Sequence, residues 1–382
     1  MVHEAVGPPL TPGAAAACLA VGVNSLLVAG VLPVLLGSLV DEGRLDAPGL
    51  GRVAMTELLA MGLATAAMGL IKTPRRIRLI SVCASVGMTL ACLATLVASG
   101  AGIFAARAAA GAMEGVLLWV TVSMIARTVT PERWAAVFFT GQVLGQLALA
   151  GLMAAWLVPR WGANGGYAAL AGAGIIGLLP ALKVPNRFAP LASASGQSGA
   201  PPFRGWVALA FTLIYVCGSG AVYVYIAPLA HQAGLSSQVV RTGQWVFLAA
   251  QVVGGVVATL LAGRVRYFAV MVFSTAVYLV FWALLTRPMT ASAFIGGYAI
   301  VGFAALVFSS FLTPMIIDSD PSRRAAMQSG AAQVLGGALG PLLASLAVRG
   351  GNVHGVLFLG GGFVLVGLAG IAALRFTALR PR

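Results

Sequence analysis

The sequence predicts an all-α integral membrane protein of twelve transmembrane helices, arranged as two pseudo-symmetric six-helix halves. Three observations carry that prediction. Of the 382 residues, 60% are apolar and only 32 are charged (23 basic plus 9 acidic). Apolar runs of membrane-spanning length recur along the whole chain. A polar stretch divides them into two sets of six, and short motifs repeat at matching places in the two sets.

The charged share of 8% is about a third of the usual value, and the mean hydropathy is +0.98. A soluble domain needs a polar surface, and 32 charges cannot cover a body of this size. Soluble, disordered and disulfide-scaffold classes are thereby excluded. The formal net charge of +14 does not indicate a nucleic-acid partner, because no basic cluster sits on a soluble fold.

An α-helical span needs about 20 mostly apolar residues. Breaking the chain at charges, Gly/Pro turns and polar runs yields twelve spans. They lie near 13–40, 51–71, 79–99, 101–126, 135–157, 165–182, 205–230, 239–262, 267–286, 290–316, 325–348 and 354–374. No Lys or Arg precedes Arg44, so the first run lacks the basic region of a signal peptide and is expected to be a retained helix. The basic residues set the orientation. With both termini cytoplasmic, that side holds Lys72, Arg75, Arg76, Arg78, Arg127, Arg133, Lys183, Arg187, Arg204, Arg264, Arg266, Arg323, Arg324, Arg375, Arg380 and Arg382. The opposite side holds only Arg44, Arg52, Arg160, Arg241, Arg287 and Arg349. The bias and the even span count together predict a multi-pass protein of the plasma (inner) membrane with both ends in the cytoplasm. There the basic residues meet anionic lipid headgroups.

Cys18, Cys83, Cys92 and Cys217 sit in apolar runs without paired spacing, which reads as core packing. His3, His231 and His354 are far apart, so no metal site is expected. No phosphate-binding Gly-Lys-Ser/Thr loop exists, which argues against an ATP-driven pump, and no cofactor is expected. No Ser/His pair, paired Asp or His-Glu-x-x-His arrangement points to an enzyme.

Residues 183–204 are rich in Pro, Ser, Gly and Ala, including Pro185, Pro190, Pro201 and Pro202, and carry no helical period. They form the expected cytoplasmic linker between an N-terminal half, 1–182, and a C-terminal half, 205–382. The halves also repeat in sequence. Pro131-x-Arg133-x-Ala135-Ala136 returns as Pro321-x-Arg323-x-Ala325-Ala326, and Gln142-Val143-Leu144-Gly145 returns as Gln333-Val334-Leu335-Gly336. Both repeats fall in the loop after the fourth span of a half and at the start of the fifth.

These features resemble the major facilitator superfamily of secondary transporters over nearly the whole chain. Arg107 followed by Gly111 resembles the family's Arg-and-Gly motif in the fourth span. Gly336-x-x-x-Gly340-Pro341 is similar to the Gly-Pro element that antiporter-type members carry in the fifth span. Tyr225-Ile226-Ala227-Pro228-Leu229 with Gly234-Leu235-Ser236 is similar to the drug and sugar efflux branch. The departures are also specific. Gly145-Gln146 stands where that branch has Gly-Pro, and the loop after the second span keeps Gly69, Lys72, Arg75 and Arg76 without the usual Asp. The corresponding second-half loop has only Gly263, Arg264 and Arg266. No acid-based latch is expected there. The resemblance implies two parallel halves that alternate access around a mid-membrane site.

Only Glu57, Arg107 and Glu114 fall well inside spans. A charge near mid-bilayer costs about 2.5–3.5 kcal/mol on insertion scales, so these side chains are expected to face protein or a cavity. Glu57 and Arg107 lie about two turns into parallel spans, which allows an ion pair if the spans touch. Glu114 is seven residues beyond Arg107, on nearly the same face and about 10 Å deeper. It is expected there without a cationic partner, a setting that suits reversible proton carriage. Glu114, Arg107 and Glu57 are therefore the proton-coupling candidates, against the alternative of a static ion pair and a helix-bonded Glu114.

The candidate solute-binding residues are uncharged. Gln142 and Gln146 share a face of the fifth span, and Gln244 and Gln251 share one of the eighth. The resemblance brings those two spans together at the interface of the halves. Asn24 and Gln333 join this set, as do Tyr215 and Tyr223, which are eight apart in the seventh span. The alternative reading is that the amides join helices. Gly141-x-x-x-Gly145 and Gly336-x-x-x-Gly340 read as close-packing seams. The expected function is proton-coupled efflux of a small organic solute by a monomer. Import, or a membrane sensor that no longer transports, is the alternative.

Overall fold

The computed structural model describes residues 10–45, 47–71, 75–189, 200–348 and 352–378. His3, Lys72, Pro190, Arg349, Arg380 and Arg382, used above, lie outside the described residues. The described residues are helical apart from turns, loops and isolated bridges. In order the helices are α1 (Pro12–Asp41), α2 (Ala47–Gly69), α3 (Ile77–Val97), α4 (Ala101–Ile125), α5 (Pro131–Leu152), α6 (Val158–Ala181), α7 (Phe203–Val224), α8 (Ile226–Gln232), α9 (Ser237–Leu261), α10 (Tyr267–Leu284), α11 (Ala291–Ser319), α12 (Ser329–Ser345) and α13 (His354–Ala378). Nine helices among the described residues are long and apolar enough to cross a membrane. One of these nine is the run Pro131–Ala181, and Gly162 inside it takes φ 58°, which ends one helix and starts the next.

Local chemistry explains the boundaries. The Thr11, Ser236 and Thr290 hydroxyls accept backbone N–H groups at the starts of α1, α9 and α11. The Tyr225–Ser236 motif is a helix break. Tyr225 leaves helical geometry, α8 carries Pro228, Gly234 turns at φ 85°, and Ser236 caps the next helix.

The chain divides into two compact units. The first holds Met1–Val129, Gly141–Ala200 and Ser322–Val334; the second holds Thr130–Thr140, Pro201–Pro321 and Leu335–Arg382. Each copy of the Pro-x-Arg-x-Ala-Ala repeat thus contributes to the unit of the opposite sequence half. In the first unit, Arg323 at φ 61° donates from Nη1 to the carbonyls of Ala126 (2.9 Å) and Thr128 (2.6 Å), just past the end of α4. Gln328 donates to Ala66 O at 3.1 Å and lies against Gly69. Arg323 thus holds the turn after α4, and Gln328 holds the last turns of α2. In the second unit, Ala136 packs with Ala258, Val270, Val307 and Phe311, and Thr140 lies over Gly255.

The first unit has its main apolar core between α1, α2 and α6, built from Val31, Leu35, Leu36, Leu39, Val53, Met153 and Tyr167. Glycines set the closest approaches. Gly111 and Gly115 of α4 meet the backbone of Glu57 and Met61 on α2. A side chain at either position would collide with a carbonyl oxygen. The two predicted seams are close-packed: Gly145 faces Leu27 in the first unit, and Gly336 and Gly340 face Leu213 and Cys217 in the second. The cysteines are all free. Cys18, Cys92 and Cys217 are buried as expected, but Cys83 is exposed on the outer face of α3.

Candidate functional site

The α2–α4 seam brings the intramembrane charges together. With no side chain at Gly111, α2 approaches closely enough for Glu57 to grip Arg107 with both carboxylate oxygens. Arg107 Nε donates to Glu57 Oε2 at 3.0 Å, and Nη2 donates to Oε1. Bidentate charge-assisted bonds of this kind fix direction as well as position. Two further groups hold the guanidinium: Cys92 Sγ accepts from Nη1 at 3.6 Å, and the Tyr167 ring lies 5.2 Å from the guanidinium carbon. Both acids and the arginine are buried.

Glu114 differs from its expected setting. Oε1 stands 3.7 Å from Arg107 Nη2, so the carboxyl does have a cation beside it. Seven residues of helical rise is about 10 Å. The long arginine side chain and the lean of a helical Glu toward the N-terminus close most of that gap. Oε2 of Glu114 has no hydrogen-bond partner among the described residues. One guanidinium therefore serves two carboxyls, and the second is only half satisfied.

Helix register extends the site. Asn24 of α1 lies against Gly177 of α6, Leu35 against Gly166, and Thr121 of α4 donates to Cys18 O on α1. Counting two turns from that last bond places Asn24 opposite Glu114. The contact of Gly87 with Met113 puts Ser85 of α3 at the same height, and those of Gly141 with Val23 and Gly145 with Leu27 put Gln142 there too. Asn24 Nδ2, Ser85 Oγ, Glu114 Oε2 and Gln142 Oε1 are each buried without a hydrogen-bond partner among the described residues. One layer of the first unit thus carries four orphaned polar atoms on four helices. Buried polar atoms are nearly always paired with protein or water, so these four stand out from the rest of the unit.

The other candidates divide. In the second unit Gln244 Nε2 donates to Tyr223 OH at 2.9 Å, and Tyr298 OH donates to Gln244 Oε1 at 3.0 Å. Phe247 stacks on Tyr298 at 4.5 Å. Gln251 lies half-buried two turns further along α9. Gln146 donates to Leu26 O at 2.7 Å and so joins α5 to α1, while Gln333 turns back on Ser329 O at 3.4 Å. Tyr215 is fully buried, bonded to Thr275 Oγ1 at 2.8 Å and stacked on Phe308 at 4.2 Å. Sequence reasoning missed Ser85, Tyr167 and Tyr298. A lone Ser or Tyr in an apolar run carries no signal until the neighbouring helix is known.

The sequence matches the profile of the Major Facilitator Superfamily over residues 14–345. The chain belongs to that superfamily. Its members are multi-pass membrane transport proteins that move small solutes without acting as enzymes, and this chain has their all-α fold. Its structure is similar to that of the human organic anion transporter MFSD10, with 15% identity, TM-score 0.74 and coverage of 95% of this chain and 100% of that one. It is also similar to the superfamily transporter FucP in the outward conformation, with 9% identity, TM-score 0.73 and coverage of 94% and 98%. A third similar structure is a bacterial homologue of the iron transporter ferroportin in an outward-facing state, with 13% identity, TM-score 0.70 and coverage of 95% and 98%. No curated protein sequence matches it. At these identities the solved structures establish the fold alone.

Proposed function

We propose that this superfamily member is a proton-coupled exporter of a small organic solute, with Glu114 as the proton carrier. The observation that carries the reading is the shared guanidinium: Arg107 is committed to Glu57, and Glu114 has one oxygen near it and one without a partner. With both acids ionised the set is one negative charge in excess, and burying an unbalanced charge is costly. A single proton on Glu114 neutralises the set, and its release is the natural event to couple to solute movement. One charge crossing 100 mV of potential is worth about 2.3 kcal/mol. At about 1.4 kcal/mol per decade, that supports a roughly 50-fold solute gradient.

The solute-binding candidates are uncharged: Asn24 and Gln142 in the orphaned layer, and Gln244 and Gln251 with Tyr223 and Tyr298 in the second unit. Amides and aromatic rings suit an organic solute that is partly apolar and offers hydrogen bonds. In this reading the chain has twelve spans in two six-helix halves with alternating access, works as a monomer in the plasma membrane, and keeps both termini cytoplasmic. The direction rests on the likeness of the Tyr225–Ser236 motif to efflux proteins. The test is a stability screen of the purified chain against small organic compounds at acid and neutral pH. A compound whose binding shifts with pH, and whose export from reconstituted vesicles is accompanied by counter-movement of protons, supports the proposal. A compound that binds and crosses identically at both pH values, with no proton movement, contradicts it.

A further inference from the structure

Leu96, Leu157, Trp161, Gly165 and Ala168 line a crevice of about 490 Å³ at one end of the first unit, with Asn164 on its rim. Three backbone features make it. α3 ends at Val97, one residue past Leu96. A π-helical turn at Met153–Leu157 widens the chain before α6, and Gly162 redirects the helix at φ 58°. Gly165 then lies tight against the turn, where a Cβ would stand 2.7 Å from Leu157 O and 3.0 Å from Trp161 Cβ. The floor is almost wholly apolar.

Beside the crevice the chemistry changes. Trp161 meets Trp156 edge-on at 5.2 Å, and Arg160 stacks over Trp156 at 5.2 Å. Trp156 and Trp161 are 47% and 53% exposed, and Arg160 is exposed beside them. Asn164, which also lines the crevice, is held by Arg44 Nη1 at 2.8 Å, and Arg160 Nη1 donates to Trp156 O at 3.2 Å. Exposed Trp at the end of membrane helices marks headgroup depth, and a guanidinium there presents phosphate-binding donors.

From the apolar floor, the Trp161 wall and the guanidinium of Arg160 stacked beside it on Trp156, we infer that the crevice binds one anionic phospholipid. The acyl chain lies along Leu96 and Ala168, and the phosphate sits on Arg160. Free phosphate lacks the apolar tail that the floor fits, and Ala168 is itself exposed, so the crevice opens to the surface that lipid covers.

The test titrates the purified full chain in detergent with phosphatidylglycerol or phosphatidylcholine and counts bound lipid by native mass spectrometry. Phosphatidylglycerol is expected to occupy one site about fivefold more tightly than phosphatidylcholine, the gain that one basic residue brings near an anionic surface. Arg160→Gln, a surface change, removes that preference and keeps the phosphatidylcholine level. Ala168→Trp fills the crevice and lowers the occupancy by both lipids, while excess inorganic phosphate leaves phosphatidylglycerol bound. Equal affinity for the two lipids in the wild type overturns the inference. So does a preference that survives Arg160→Gln, occupancy unchanged by Ala168→Trp, or displacement by inorganic phosphate.

Discussion

Nη2 of Arg107 stands 3.7 Å from Oε1 of Glu114 while the same nitrogen is bonded to Glu57. A single cation placed between two buried acids makes their contributions unequal. Glu57 grips the arginine with both oxygens, and Glu114 has one oxygen near it and one without a partner among the described residues.

If Glu57 and Arg107 form the static member of the set, removing one partner strands the other. Arg107→Gln is expected to destabilise the protein by about 3–5 kcal/mol, the usual result of breaking a buried pair. The double change Glu57→Gln with Arg107→Gln recovers a large part of that loss. Thermal unfolding of the wild type and the two variants in detergent micelles measures the difference.

The pair also depends on the bare backbone of Gly111. A side chain there meets the carbonyl oxygen of Glu57 and pushes α2 away from α4. Gly111→Val is expected to cost at least about 1–3 kcal/mol as overpacking. Gly151→Ala, where the space is open, is expected to be neutral or to gain up to about 1 kcal/mol of helix propensity. The same unfolding measurement separates the two.

In the second unit Gln244 joins Tyr298 to Tyr223 through two hydrogen bonds. Tyr298→Phe removes one bond and is expected to cost about 1 kcal/mol. Gln244→Leu breaks both links and is expected to cost more. In the compound screen, Gln244→Leu is expected to weaken solute binding more than Tyr298→Phe does.

Arg323 bonds two carbonyls beyond the end of α4. Arg323→Ala frees both, and residues 322–334 are expected to exchange their amide hydrogens faster while α1 and α6 stay protected. Hydrogen exchange read by mass spectrometry checks this. Unchanged protection of 322–334 shows that the guanidinium does not hold the segment.

The all-α membrane fold was legible because bilayer physics writes it plainly in composition, as long apolar runs with few charges. The pairing of Glu57 with Arg107 was also legible, since depth along parallel helices follows from counting residues. The partner of Glu114 was not. Counting backbone rise ignores the reach of an arginine side chain, and that reach brings Arg107 beside it. Tyr167 and Tyr298 gave no sign either, because their roles come from neighbours on other helices. The Pro-x-Arg-x-Ala-Ala repeat was visible as a repeat, but its two copies change units only in three dimensions. Gln146 and Tyr215 read in the sequence as solute-binding polar groups in apolar runs, and in the fold they bond to Leu26 and Thr275, partners that residue counting does not reveal.

The most direct test of the proton-carrier role of Glu114 is proton movement in liposomes that carry either the wild type or Glu114→Gln. A pH-sensitive dye reports the interior, and the compound identified by the stability screen serves as solute. The account predicts compound-driven proton movement with the wild type. With Glu114→Gln it predicts none, although that variant still inserts and still binds the compound. Proton movement by Glu114→Gln at the wild-type rate contradicts the account.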